Sequence, residues 1–174
     1  MRSIVSDLKT FSRGDDGPPL PVDLERVIDA SVKMAWSEIR NRARLVKTYS
    51  AVPPIRANES RLGQVFLNLL VNAAQSIEEG HAMENTIRVR TFAESADVVV
   101  VEVADTGCGI PDEVVDRIFD PFFTTKPVGV GTGLGLWICQ GIVAGLGGQI
   151  HVASRAGHGT TVSLRLPVGL EGHA

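Results

Sequence analysis

Apolar residues recur along this chain at two periods, and their alternation lays out an α/β domain. Residues 59–79 carry Leu62, Val65, Phe66, Leu69, Leu70, Ala73 and Ile77 at helical spacing, with Leu67, Val71 and Ala74 widening the stripe. Asn58 stands where an N-cap would. Only one polar ridge interrupts this central helix: Gln64, Asn68, Asn72 and Gln75, at spacings that share a face. A second helix is predicted from Pro21 to about Arg42, with Val22, Val27, Ile28, Ser31, Val32 and Ala35 on its apolar side. Elsewhere the pattern is that of strands. Leu45–Tyr49 is one, and Ile55–Ala57 is a short extended piece after the Val52-Pro53-Pro54 turn. Thr86–Phe92 alternates Ile87 and Val89 inward with Arg88 and Arg90 outward. A hairpin at Ala93–Ala96 leads into Val98–Ala104, an apolar run broken only by Glu102, which reads as a buried strand. Gln149–Ser154 and Thr160–Leu166 form a last hairpin with Val162, Leu164 and Leu166 inward, and Pro167 ends the domain. The expected fold is a two-layer α/β sandwich: a mixed, mostly antiparallel sheet of about five strands packed on three main helices, without internal repeats.

Between the buried strand and the final hairpin lies DTGCGIPDEVVDRIFDPFFTTKPVGVGTGLGL, residues 105–136. One glycine pair, Gly107 and Gly109, follows an aspartate at the end of a buried strand. That places the carboxylate of Asp105 at the lip of the core, beside a backbone that can approach a ligand closely. A second cluster, Gly129, Gly131, Gly133 and Gly135, opens onto an apolar helical pattern of Leu134, Trp137, Ile138, Ile142, Val143 and Leu146. Glycines at a helix N-terminus offer free N–H groups and the positive end of the dipole to an anion; the plain alternative is a pair of turns. GxxxxGK[ST] is absent, the second cluster is spaced GxGxG rather than GxGxxG with no strand before it, and neither HRD nor DFG occurs. A P-loop, a dinucleotide fold and a protein-kinase fold are therefore disfavoured. The carboxamide ridge needs partners too, since an orphaned buried amide costs about 1–3 kcal/mol. Other backbone would satisfy it, or a ligand with its metal.

Composition narrows the setting. The 174 residues carry a formal net charge of −3, which gives no reason to expect nucleic acid, and Arg40, Arg42 and Arg44 read as a solvated helix end. No apolar run is long enough to span a membrane, and the first residues lack a signal peptide's apolar core. Cys108 and Cys139 show no pairing pattern and read as free thiols of a reducing, cytoplasmic compartment, Cys108 being a small filler between glycines. Residues 1–13 carry Ile4, Val5, Leu8 and Phe11 on one helical face, residues 14–21 (GDDGPPLP) form a linker, residues 22–168 make the main domain, and residues 169–174 are expected to be a disordered tail.

In order and spacing, these motifs resemble those of the histidine-kinase ATP-binding domain. That domain belongs to the gyrase, chaperone, histidine-kinase and mismatch-repair ATPase superfamily, which has the Bergerat fold. LNLLVNAAQSI is similar to its N box, DTGCGI to its G1 box, DPFFTTK to its F box and GTGLGL to its G2 box, and the likeness covers roughly residues 20–167. The resemblance implies ATP and Mg²⁺ as ligands. Asp105 would accept from the adenine amino group, with Thr160 in support. Gly107 and Gly109 would bend around base and sugar, and Ile110 and Phe123 would wall the pocket, unless Phe123 is a lid hinge. Gly131, Thr132, Gly133, Leu134, Gly135 and Leu136 would bind phosphates. Asn72 would ligate Mg²⁺, and Asn68 would contact the phosphates or metal-bound water. Hydrolytic members carry a glutamate at position 68; an amide cannot take a proton, which points to phosphoryl transfer to a separate acceptor. Two departures stand out: Gln75 where many histidine kinases have a basic residue, and Thr124-Thr125-Lys126 where many have an arginine. Lys126 is the candidate for neutralising the γ-phosphate, against simple solvation.

The acceptor itself is not evident, since His81, His151, His158 and His173 all lack the phosphoacceptor context and read as surface residues. The resemblance makes residues 1–13 the remnant of a dimerisation and phosphoacceptor hairpin. It implies that hairpin and a response regulator as partners of a longer protein, with this piece monomeric and out of contact with membranes. The rival readings are an anti-sigma-type serine protein kinase and a non-catalytic nucleotide-sensing module.

Overall fold

The computed structural model describes residues 17–127 and 131–169. The amphipathic segment 1–13, the tail beyond Gly169 and Gly129 lie outside the described residues. In chain order the elements are β1 (Leu20–Val22), α1 (Leu24–Ile39), β2 (Arg44–Tyr49), β3 (Ile55–Ala57), α2 (Glu59–Gln75), β4 (Thr86–Ala93) and β5 (Val98–Asp105). They continue with α3 (Asp112–Val115), α4 (Gly135–Gly145), β6 (Gln149–Arg155) and β7 (Gly159–Pro167). Five strands form one sheet in the order β2-β4-β5-β7-β6, with β2 parallel to β4 and every other pair antiparallel. The expected mixed α/β sandwich is the observed one.

Strand alternation decides which face of the sheet is covered. Ile87, Val89 and Thr91 of β4, Val99, Val101 and Val103 of β5, and Leu164 and Leu166 of β7 are all buried. The aliphatic ones join the core cluster with Leu62, Phe66, Leu69 and Leu70 of α2, Ile28 and Ile39 of α1, and Ile138 and Val143 of α4. Arg88 and Arg90 point the other way and are exposed. There Arg90 pairs with Glu102 at 3.0 Å, and Arg165 pairs with Glu94. Among the described residues no helix is long and apolar enough to cross a membrane.

Three boundaries differ from the sequence reading. Pro21 does not begin a helix: it lies in β1, opposite Arg56 of β3, so the supposed linker 14–21 ends inside the domain. The helix starts at Leu24, because the Asp23 carboxylate accepts from the N–H groups of Glu25 and Arg26 at 3.0 and 3.4 Å. It stops at Ile39 rather than Arg42, since the Ile39 carbonyl receives both Arg42 N–H and Ala43 N–H and turns the chain into β2. Asn58 does cap α2, accepting from Arg61 N–H at 3.0 Å. That helix ends at Gln75, short of Glu79, where Ile77 N–H reaches back to the Ala74 carbonyl and tightens the last turn. The four-residue helix α3 was not foreseen.

Among the described residues Phe66 is the largest fully buried side chain, and it belongs to the core cluster that α2 shares with the sheet and the other helices. Phe66→Ala should lower unfolding free energy by about 3–5 kcal/mol. Urea denaturation would show this as a shifted midpoint with an unchanged slope.

Candidate nucleotide site

The polar ridge of α2 faces the start of α4. A methyl group added at Gly135 would lie 3.9 Å from both Asn68 Cγ and Asn72 Nδ2, so the first residue of α4 stands opposite the two asparagines with room for little more. Asn68 Nδ2 donates to the Gly135 carbonyl at 3.4 Å. Helix α4 opens at Gly135 with no side chain capping it, and Leu134 N–H is held by Thr132 Oγ1 at 3.3 Å. The aromatic knot is stitched to the same segment. Phe122 adopts φ 67° and donates its N–H to the Gly133 carbonyl at 3.0 Å. A Cβ at Gly133, whose φ is 69°, would meet the Phe122 carbonyl carbon at 2.4 Å. Phe123 carries the Arg117 guanidinium on its ring, 4.5 Å from the centroid.

Lys126 is not a solvated side chain. Its ammonium donates to Gln75 Oε1 at 2.6 Å and to Asn72 Oδ1 at 3.1 Å. Burial holds its pKa below the ordinary lysine value.

At the other end of α2 stands the adenine-recognition candidate. Asp105 Oδ1 accepts from Gly107 N–H at 2.8 Å and lies 2.9 Å from Ser76 Oγ. The Ser76 hydroxyl is also 2.8 Å from the Ala73 carbonyl; with a single proton it serves one of the two at a time. Thr160, paired with Asp105 across β5 and β7, donates its N–H to the carboxylate as well. Burial raises the Asp105 pKa above its ordinary value of 3.8, and the bonds from Gly107, Ser76 and Thr160 pull against that shift.

The loop after Asp105 is gripped from two sides. Cys108 donates its N–H to the Ser76 carbonyl at 2.9 Å, and its own carbonyl accepts from Gly157 N–H at 2.7 Å. Ile110 N–H donates to Ser154 Oγ at 2.8 Å, and Ser154 Oγ in turn lies 2.8 Å from Thr160 Oγ1. Gly107 could bear no side chain, because a Cβ would fall 2.0 Å from Ser76 Oγ and 2.5 Å from its carbonyl oxygen. Gly109 combines φ 69° with a Cβ position 2.1 Å from the Arg155 carbonyl oxygen.

The structure therefore brings Lys126 onto Asn72 and Gln75, Gly131 against the Lys126 stem, and Gly135 beside Asn68 and Asn72 on α2. Asp105, Gly107, Gly109, Ile110 and Thr160 gather at the end of α2. His81, His151 and His158 are exposed, His158 in the β6–β7 turn whose Gly157 bonds the Asp105 loop. Sequence reasoning missed the positions of Ser76 and Ser154, whose hydroxyls anchor the Asp105 loop; a lone serine has no periodic signature, and only the tight glycines beside them give a hint. Cys139 is buried in α4 with its thiol pushed up to about 12 by desolvation, which leaves it chemically inert.

Residues 57–170 match the family described as histidine kinase-, DNA gyrase B-, and HSP90-like ATPase, more than half of the chain. The chain belongs to that ATPase family. Among its relatives within the family, sensor kinase CckA of Brucella abortus is 38% identical over 95% of this chain and 19% of its own length. Sensor histidine kinase ZraS of Escherichia coli K12 is 40% identical over 98% of this chain and 36% of its own. The chain thus spans only a minor part of these relatives. The catalytic domain of histidine kinase ThkA superposes with a TM-score of 0.75 at 28% identity, covering 87% of this chain and 97% of that one. Full-length ShkA, solved in complex with AMPPNP, gives 0.78 at 28% identity over 94% of this chain and 35% of its own.

Gly109→Ala forces both a left-handed Cβ and a clash with backbone, so it should destabilise the fold by about 1–3 kcal/mol, read as a lowered denaturation midpoint. Asp105 generates a pH prediction. The folded chain binds its proton more tightly than the unfolded chain does, so the stability it contributes is present below pH 3.8 and is lost as pH rises through the raised value. Thermal melts of Asp105→Asn should therefore gain on those of the unsubstituted chain as pH rises from 3.8 toward neutrality.

Proposed function

We propose that this chain is the ATP-binding catalytic domain of a two-component sensor histidine kinase. It binds Mg-ATP and presents the γ-phosphate to a histidine on a separate dimerisation hairpin. The observation that carries the reading is the convergence on helix α2: an adenine-type carboxylate at its C-terminal end, a carboxamide ridge along it, and an uncapped glycine helix start across from the ridge. The names of the relatives support it, as does AMPPNP, an adenine nucleotide, in the ShkA structure.

Gly107 and Ser76 fix Asp105 through Oδ1, and the carboxylate would accept from the adenine amino group with its remaining acceptor capacity. The N–H groups at the start of α4 meet the phosphates. Metal binding fits the donors present. Among the described residues no cluster of His, Cys, Asp or Glu is built to hold a metal ion. A single amide oxygen suits Mg²⁺, which draws its remaining ligands from water and phosphate. Asn72 Oδ1 already attracts a cation, the Lys126 ammonium. The metal when bound supplies charge neutralisation on the phosphates. Lys126 would add its own charge at the γ-phosphate, and Asn68 would orient phosphate or water without acting as a base, since an amide takes no proton at neutral pH. Catalysis would then be positioning and electrostatics, with the phosphoryl group passing to the acceptor histidine. A cytoplasmic setting and a response regulator downstream follow from this reading.

Calorimetry should show Mg-ATP binding, with GTP much weaker. Asp105→Ala and Asn72→Ala should each cost about tenfold or more in affinity, the loss expected for one charged or metal-linked contact. With radiolabelled ATP, the label should reach a histidine on an added hairpin and none of it this chain. Absence of any nucleotide heat, or transfer to serine instead, would sink the assignment.

A further inference from the structure

The position of Lys126 raises a conflict that the nucleotide reading has to resolve. Its ammonium forms no ion pair within 4.0 Å among the described residues. Two neutral carbonyl oxygens hold it instead, Gln75 Oε1 at 2.6 Å and Asn72 Oδ1 at 3.1 Å. These lie three residues apart on α2 and so are neighbours on one face. The lysine stem is laid against the phosphate glycines: a Cβ at Gly131 would stand 3.2 Å from both Cβ and Cδ of Lys126. The Lys126 N–H is pinned by Thr124 Oγ1 at 3.1 Å. If Asn72 Oδ1 takes a Mg²⁺ ion at about 2.0–2.1 Å, an ammonium on the same oxygen meets a dication at close range. The lysine has to give up Asn72, and the acceptor left to it is Gln75.

We propose that Gln75 is a positioning residue: it keeps the Lys126 ammonium beside the phosphate glycines when a metal ion takes over the amide oxygen of Asn72. The inference rests on the Mg-ATP reading above and deepens it. Gln75 takes no part in the chemistry. It holds an uncompensated cation within reach of the terminal phosphate, and it is an acceptor that the metal does not use.

The test compares affinities for Mg-ATP and Mg-ADP by calorimetry in the unsubstituted chain, Gln75→Leu, Gln75→Glu, Lys126→Met and the double variant Gln75→Leu/Lys126→Met. Lys126→Met should reduce the preference for Mg-ATP over Mg-ADP by about tenfold, the scale of one charge-assisted hydrogen bond. Gln75→Leu should reduce it in the same direction by about three- to tenfold, with the loss falling on Mg-ATP rather than Mg-ADP. Gln75→Glu, which keeps the ammonium in place but pairs its charge with a carboxylate, should lower the preference as well. The double variant should match Lys126→Met alone, and melts of the nucleotide-free proteins should show the same non-additivity. Additive effects, or an unchanged preference in Gln75→Leu, Gln75→Glu or Lys126→Met, would overturn the proposal. If the unsubstituted chain binds neither nucleotide, the nucleotide reading itself falls and takes this inference with it; if it binds both, only the role of Gln75 is at stake.

Discussion

Helix α2 must bury one face and keep its carboxamides usable on another, and the fold is arranged around that double demand. Leu62, Phe66, Leu69 and Leu70 are almost wholly withdrawn from water, whereas Asn68, Asn72 and Gln75 on the same helix are only half-buried. A primary amide in such a place needs partners, and an orphan costs about 1–3 kcal/mol. The partners come from the glycine-rich connection: the Gly135 carbonyl for Asn68, the Lys126 ammonium for Asn72 and Gln75. The connection is anchored in the core by Leu134, and hydrogen bonds that the proposed ligand could replace draw its polar groups onto the helix.

The Asp105 loop answers a different demand. It has to place a carboxylate at the core's edge without letting it wander. Backbone does most of this. Cys108 is bonded on its N–H side to the end of α2 and on its carbonyl side to the β6–β7 turn, and the flanking glycines are needed because both surfaces approach closer than a Cβ allows. Ser154 joins the β6 side to Ile110 and Thr160 at once. The Asp105 loop is therefore held by backbone on two sides and Lys126 by side-chain hydrogen bonds, a division that would suit the proposed nucleotide, its base selected at one end and its terminal phosphate transferred from the other.

How much of this the sequence revealed depends on whether a residue's role is local or tertiary. Asn58 was readable as a cap because capping is a property of three adjacent residues. The strand faces of Ile87, Val89, Leu164 and Leu166 were readable because burial follows the two-residue period. Pro21 misled because a proline before an apolar periodic run ordinarily marks a helix start. Its actual role, pairing across to Arg56, depends on a strand that lies far along the chain. In the site, the glycines, Asp105 and the asparagines announced themselves by spacing and by likeness to a family. Ser76 and Ser154 did not, since each acts through one hydroxyl on a loop distant in sequence. Gln75 was visible only as a departure from the family's pattern; its meaning emerged once Lys126, brought in from the far side of the aromatic knot, was found on its oxygen.

That pairing bears on why the ridge is made of amides at all. A carboxylate at position 72 or 75 would neutralise Lys126 outright, and in a half-buried site the resulting ion pair would be hard to break. An incoming phosphate would then face both a satisfied lysine and a like charge. Amide oxygens hold the ammonium by hydrogen bonds and leave its charge uncompensated, so the pull on an anion persists. On the proposed reading they could also cede an oxygen to a divalent ion without a change in net charge on the helix. The same neutrality that would bar Asn68 from taking a proton from water would let the ridge serve first an ammonium and then a metal-bound phosphate, as the proposed transfer to another acceptor requires.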